Sequence, residues 1–348
     1  MSAKIIQLQK RASYIYQNIQ DKADWDNGKR VFALADGTTQ SFNSERWAAL
    51  ITKHFITAPT FKPEKMIDLF TGCARKFAYT PFTFNSNPAI AALEKAKRAK
   101  GASATFLGLQ FLQNNRVNVI NCGDTNLFLI DGKGNLRECF PYATSEELNA
   151  NNHFLNTVQL TEQKLDVSFF QVKQFSYSKG SIFIMATDAL SRLFLKNNET
   201  MNEVLKIKNF EMLHNFCMKY WDKKALEEDD ISAIIIRPDG NNKVEQIIPS
   251  ADFSFPKAKD DGFEPTPLVN NTNQIFTDMQ MQEIYHQFVG VANDFREVKR
   301  NQKITHILVI IAIALSFLNL VCFASYMTFL NKKSNTSPQT EWFGRNKV

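Results

Sequence analysis

The sequence predicts an α+β fold in which helices pack on antiparallel sheets, and three observations predict it. Short apolar or alternating runs end repeatedly in Gly, Asp or Asn, as strands do. Between them lie stretches with apolar residues three and four apart, the spacing of amphipathic helices. Closely spaced runs joined by turn residues, as in RVNVINCGDTNLFLIDGKGN (116–135), favour hairpins over parallel crossovers.

In chain order, KRVFALADG (29–37) reads as a strand that stops at Asp36 and Gly37. SERWAALITKHFI (44–56) and PEKMIDLFTGCARKFA (63–78) read as helices. So does PAIAALEKAKRAK (88–100), whose basic end suits the negative pole of the helix and which Gly101 stops. ASATFLGLQFL (102–112), RVNVINCGD (116–124), TNLFLIDG (125–132) and GSIFIMATD (180–188) are strands. MLHNFCMKYW (212–221) is a helix, and DISAIIIRP (230–238) is a strand preceded by Asp229 and Asp230.

The far end is different. IPSADFSFPKAKDDGFEPTPLVNNTNQ (248–274) has the prolines, charges and asparagines of a linker, which bounds a folded domain at 1–247. Residues 275–303 carry Ile284, Phe288, Val291, Phe295 and Val298 at helical spacing and predict a juxtamembrane helix. Ile304 to Leu330 contains no Asp, Glu, Lys or Arg and exceeds the ~20 residues that cross a bilayer, so 304–330 is expected to be a transmembrane helix followed by a short tail, 331–348. Basic residues flank it on both sides: Lys299, Arg300 and Lys303 before, Lys332 and Lys333 after. The N-terminus MSAKIIQLQKRASYIYQ shows no secretory signal, so the expectation is a single-pass membrane protein with its N-terminal domain in the cytoplasm.

Composition narrows the class. The 348 residues are 44% hydrophobic, with 30 Phe, which supports a sizeable core. A net charge of +6, spread along the chain, gives no nucleic-acid footprint. The five cysteines form no Cys-x-x-Cys pair and have no histidines at zinc-site spacing, which fits a reducing compartment. None has an arginine six positions later, as a cysteine-nucleophile phosphatase would require.

Carboxylates carry the functional signal. Asp36 ends VFALA, Asp188 ends IFIMAT, and Asp229 with Asp230 precedes ISAIII. An aspartate where a strand stops is commonly a local cap. Three such positions far apart in sequence can also meet at one sheet edge, where hard oxygen donors suit Mg²⁺ or Mn²⁺ rather than zinc.

The order ALADGTTQS, GASATFLGL, VINCGDTNLFLI, FIMATDALS and DDISAIII resembles the successive motifs of the type 2C protein phosphatases, the metal-dependent serine/threonine phosphatases, over about residues 10 to 240. The resemblance implies two antiparallel β-sheets packed as a sandwich flanked by helices, an α-β-β-α order. It implies two Mn²⁺ or Mg²⁺ ions held by Asp36, the Gly37 carbonyl, Asp188 and Asp229, with Asp21 of NIQD (18–21) as an outer ligand. Phosphoserine and phosphothreonine proteins would be the substrates. Departures stand beside it: Tyr16 occupies the place of a phosphate-gripping arginine, with Arg11 the nearest basic alternative, and TTQS puts Thr38, Thr39 and Ser41 where glycines are usual. Arg192 stands four residues after Asp188, where a carboxylate would help Asp124 hold a third ion, so two ions are expected. The alternatives are a catalytically silent module that binds phosphorylated partners at the membrane, and a membrane-anchored scaffold working through its juxtamembrane helix. The sequence leaves the oligomeric state open.

Overall fold

A computed structural model describes residues 1–13, 15–150 and 153–256. The juxtamembrane helix, the span and the tail expected from the sequence lie outside the described residues. Among the described residues no helix is long and apolar enough to cross a membrane.

The chain begins with β1 (Ser2–Leu8), β2 (Lys22–Asp26) and β3 (Val31–Ala35), then three helices, α1 (Ser44–Thr57), α2 (Pro63–Tyr79) and α3 (Pro88–Lys100). A short β4 (Ser103–Ala104) leads into two hairpins, one in each sheet, β5 (Phe106–Phe111) with β6 (Arg116–Cys122) and β7 (Asn126–Ile130) with β8 (Leu136–Phe140), so the expected hairpins over 116–135 are corrected at the β6–β7 turn, which crosses between sheets. Next come α4 (Ser145–Ala150), β9 (Leu155–Asn156), α5 (Thr157–Thr161), β10 (Gln171–Ser176) and β11 (Ile182–Ala186). The described part ends with α6 (Asp188–Lys196), α7 (Glu199–Leu205), α8 (Phe210–Asp222), β12 (Ile231–Arg237) and β13 (Val244–Ile247).

Two sheets hold the architecture. One has the order β13-β1-β12-β11-β7-β8, the other β10-β6-β5-β3-β2. Every pair in them is antiparallel except β1 with β13, so the expectation of wholly antiparallel sheets is corrected at one edge. The cause is that β13 follows β12 but pairs with β12's neighbour, so it runs in β1's direction.

Period-two alternation sorts each strand between cores. Phe32 and Leu34 of β3 face Phe183, Met185, Ile234 and Ile236 of the other sheet and fill the space between them. Val31, Ala33 and Ala35 point the other way and pack with Trp47, Ile51 and Phe55 of α1 and Phe70 of α2. On the far sheet Ile231, Ala233 and Ile235 meet Leu190, Phe194, Phe216 and Trp221. The result is an α-β-β-α stack, and because both faces of β12 are covered, ISAIII reads as an almost unbroken apolar run.

The boundary at 247 is corrected as well. Residues 250–255, assigned by composition to a linker over 248–274, continue the packed unit. Phe253 meets Phe210 with ring centroids 4.8 Å apart, Phe255 lies 5.9 Å from Trp221, and Ser254 forms a β-bridge with Ile15. Proline and charge marked the segment as a linker, but two phenylalanines two apart present one apolar face, and α8 offers a surface for it.

Candidate active site

Register decides which residues meet. Leu8 pairs with Ile231, Ala186 with both Ala233 and Asn126, Lys22 with Ala35, and Phe106 with Cys122. Each of these pairs lies at the same end of its sheet. The residues just beyond them, Lys10, Asp21, Asp36, Asp124, Asp188 and Asp229, therefore gather at one edge of the sandwich. Asp36, Asp188 and Asp229 stand at this edge near one another, and the charges acting most strongly on Asp36 are those of Asp21, Asp188, Asp229 and Asp124.

Asp36 follows β3, where its amide donates to the Thr105 hydroxyl at 3.0 Å and its carbonyl accepts from the Thr105 amide at 2.8 Å. Burial first, and then the four neighbouring aspartates, raise its carboxyl well above the usual range. Gly37 is demanded by proximity: a Cβ there would lie 2.8 Å from the backbone carbon and oxygen of Ser44, at the start of α1.

Asp188 opens α6. Its Oδ1 accepts from the amide of the next residue, Ala189, at 2.6 Å, while its Oδ2 accepts from Arg192 one turn along. Burial and the charge of Asp229 raise its pKa, and Arg192 opposes them. Asp229 accepts from the Lys10 ammonium at 3.0 Å and keeps 42% of its side chain exposed. Asp230 takes a different part: it is 3% exposed and its two oxygens accept the amides of Lys10 (2.9 Å) and Gln20 (2.7 Å), pinning both segments to the sheet edge.

Asp21 sits deeper than the others, 1% exposed, where it accepts from the Thr187 hydroxyl at 3.0 Å. Among the described residues its other oxygen has no hydrogen-bond partner, although it is buried. Burial and the neighbouring Asp230 push its carboxyl well up. Gln20, one residue earlier, faces the open side: its amide oxygen accepts from Thr39 at 2.9 Å and from Lys10 at 3.3 Å.

Two cations border the cluster. Lys10 Nζ donates to Asp229, to the Thr39 hydroxyl at 2.9 Å and to Gln20. Burial lowers its pKa, but Asp229, Asp230 and Asp36 outweigh that, and it is raised overall. Arg192 reaches Asp188, Glu227 (2.7 Å), Asp124 (3.7 Å) and the Asn149 side chain (2.7 Å). Asp124 itself is pushed up to about 7, by burial and then by Asp188, against the pull of Arg192.

Lys10 is the residue that sequence reasoning missed. Arg11, the alternative considered there, points elsewhere: it forks onto Glu228 and lies 5.2 Å over the ring of Trp221. Tyr16 donates to Gln7 at 2.9 Å, its phenol pushed up to about 12 by burial and then by Asp21 and Asp230. Of the hydroxyls in TTQS only Thr39 faces the cluster, since Thr38 and Ser41 both donate to the Ser103 carbonyl.

The donor set suits a hard divalent cation. Asp36 is buried among four aspartates, and Asp21 keeps a buried oxygen with no partner among the described residues, so the cluster calls for more positive charge than Lys10 and Arg192 bring to it. Among the described residues no three His, Cys, Asp or Glu side chains already converge closely enough to hold one ion. Lys10 and Arg192 hold Asp229 and Asp188 instead.

No protein-family model matches the sequence, and no curated protein does. Solved structures do resemble it. PppA, a key regulatory component of T6SS in Pseudomonas aeruginosa, is 15% identical with a TM-score of 0.45, over 68% of this chain and 98% of that one. The Mycobacterium tuberculosis serine/threonine phosphatase PstP/Ppp is 15% identical with a TM-score of 0.42, over 67% and 96%. Stp1, a serine/threonine phosphatase from Staphylococcus aureus, is 13% identical with a TM-score of 0.44, over 68% and 95%. Matches at this level leave the activity to be read from the side chains themselves.

Proposed function

We propose that this chain is a metal-dependent protein serine/threonine phosphatase, hydrolysing phosphoserine and phosphothreonine esters with water as nucleophile. The observation that supports it is the gathering of Asp36, Asp124, Asp188 and Asp229 from separate strand ends at one sheet edge, with an ammonium and a guanidinium facing them. Asp36, the Gly37 carbonyl, Asp188 and Asp229 would hold two Mn²⁺ or Mg²⁺ ions, with Asp21 behind them as an outer ligand. Such ions lower the pKa of a bound water and draw charge from phosphate oxygens.

The chain's own groups have distinct tasks. Lys10 carries three donors, now given to Asp229, Thr39 and Gln20, and a phosphate oxygen competes with Asp229 for one of them. Thr39 and Gln20 keep the ammonium aimed at the cluster. Arg192 fills the space beside Asp124 with fixed positive charge, which disfavours a third ion there. Among the described residues no cysteine serves as nucleophile in this reading, because burial raises the thiols of Cys73, Cys122, Cys139 and Cys217 away from the reactive thiolate. Residues 304–330 tether the domain to a membrane, a part of the proposal that rests on the apolar run alone.

The test is hydrolysis of p-nitrophenyl phosphate and phosphothreonine peptides by the purified protein, with and without Mn²⁺ or Mg²⁺. The wild type should act only with metal, and Asp188→Asn should fold yet lose about a thousandfold or more in rate. Undiminished hydrolysis by Asp188→Asn would leave that residue the local role of a strand-end turn. A metal-supplied wild type that binds phosphopeptides without turning them over would make the chain a silent recognition module.

A further inference from the structure

A cavity of about 130 Å³ opens between the first turn of α1, the last turns of α2 and α3, residues 80–82 and α5. Its apolar wall includes Phe42, Phe77 and Phe82, with Phe42 edge-on to both others at 6.4 and 4.7 Å. Two guanidinium groups, Arg46 and Arg98, also line it. Arg98 lies 5.8 Å from the ring of Phe42 and 5.7 Å from that of Phe84, donates a 3.4 Å bond to the Ala78 carbonyl, and forms no ion pair among the described residues. Arg46 is 59% exposed and has only the adjacent Glu45, at 3.9 Å, a pair that solvent screening leaves weak.

The cavity and the acidic cluster share one short piece of chain. Gly37 packs on Ser44, which accepts a hydrogen bond from Gln20 at 3.0 Å, while the two residues before Ser44, Phe42 and Asn43, line the cavity. The Phe42 amide is tied to the Gly101 carbonyl at 3.3 Å, and the Thr38 amide to Ser103, so the same loop walls both places. A segment with a side chain at the aspartates therefore has this cavity within reach across the first turn of α1.

We propose that the cavity is a substrate-docking subsite for an aromatic side chain next to an acidic residue, carried by the phosphoprotein segment being hydrolysed. This rests on the phosphatase reading. The volume matches one ring, since a cavity of about 150 Å³ takes up benzene. The charge complement follows from two arginines whose donors are largely unused beside an apolar wall: an anion attached to a ring satisfies both.

The purified full chain is assayed on phosphothreonine peptides that carry Phe-Glu, Ala-Glu or Phe-Lys at a series of distances from the phosphoresidue, and on p-nitrophenyl phosphate. At one distance the Phe-Glu peptide should be favoured about tenfold in kcat/KM, through KM, over the other two. Ala78→Trp, which fills the cavity from an exposed helix position, and Arg98→Glu should each erase that preference and leave p-nitrophenyl phosphate hydrolysis at the wild-type rate. Phenylacetate, a ring bearing a carboxylate, supplies a readout independent of activity: saturation transfer from the protein to its ring protons should be lost in Ala78→Trp. Equal kcat/KM for all three peptides, in a wild type that hydrolyses p-nitrophenyl phosphate, overturns the subsite. If the wild type hydrolyses nothing, the phosphatase reading has failed, and transfer to phenylacetate that Ala78→Trp does not diminish rejects the cavity on its own.

Discussion

At Asp188 two kinds of bonding meet on one carboxyl group: one oxygen accepts the amide of the next residue at the start of α6, the other holds Arg192. Position alone made Asp36, Asp188 and Asp229 legible, because each stands where an apolar run stops. Lys10 and Gln20 were not legible. Lys10 follows a strand whose pattern is broken by Gln7, a buried glutamine that donates to Ser232 and accepts from Tyr16, and Gln20 stands in the irregular stretch before β2. If Lys10 grips phosphate, Lys10→Met should weaken inhibition by inorganic phosphate tenfold or more and raise KM, with metal affinity by calorimetry changed far less; unchanged phosphate inhibition would reduce Lys10 to a partner of Asp229. Asp124 gives a pH prediction. Its folded pKa, about 7, lies above the ordinary value of 3.8, so the folded chain holds that proton more tightly than the unfolded one. That contribution is complete at low pH and is lost as pH rises from about 4 through about 7. In chelator, Asp124→Asn should therefore gain stability relative to wild type across that window, read as a Tm difference that grows between pH 4 and pH 7.5.

Among the elements, the strands covered on both faces were the easiest to read. VFALA and ISAIII are nearly continuous apolar runs because the helical layer and the inter-sheet core each take alternate residues. β1 and β2 escaped because polar residues interrupt them, and α6 was hidden because DALSRLFLK begins at the aspartate that reads as a turn. Short elements are also where a single contact decides most. Gly37 joins β3 to α1 with no room for a methyl group against the Ser44 backbone, and backbone cannot rotate away as a side chain can. Gly37→Ala should cost about 1–3 kcal/mol in urea denaturation, the usual range for overpacking, and should lower activity by moving α1 away from Gln20. A variant as stable as wild type would mean that the loop yields freely.

For the whole molecule, the first test concerns where the folded unit stops. Two phenylalanines beyond β13 pack on α8, so a chain ending at residue 256 should be more stable than one ending at 247, by about 3 kcal/mol or more on the scale of Phe truncations. Equal denaturant midpoints would show that 250–255 merely rest there. The place of β1 between β12 and β13 has a further consequence, in time rather than in space. Ile5 and Ile6 find their lateral partners at Ile234, Ala233, Gln246 and Ile247, more than two hundred residues downstream. The five-stranded sheet needs nothing beyond Ser176. During synthesis from the N-terminus that sheet can close early, whereas the first strand made must wait, unpaired, for the last two. The aspartates sit on the seam between the early sheet and the late one, so their mutual repulsion is met only at the final closure, and a divalent cation present at that moment would speed the last step of folding rather than the first.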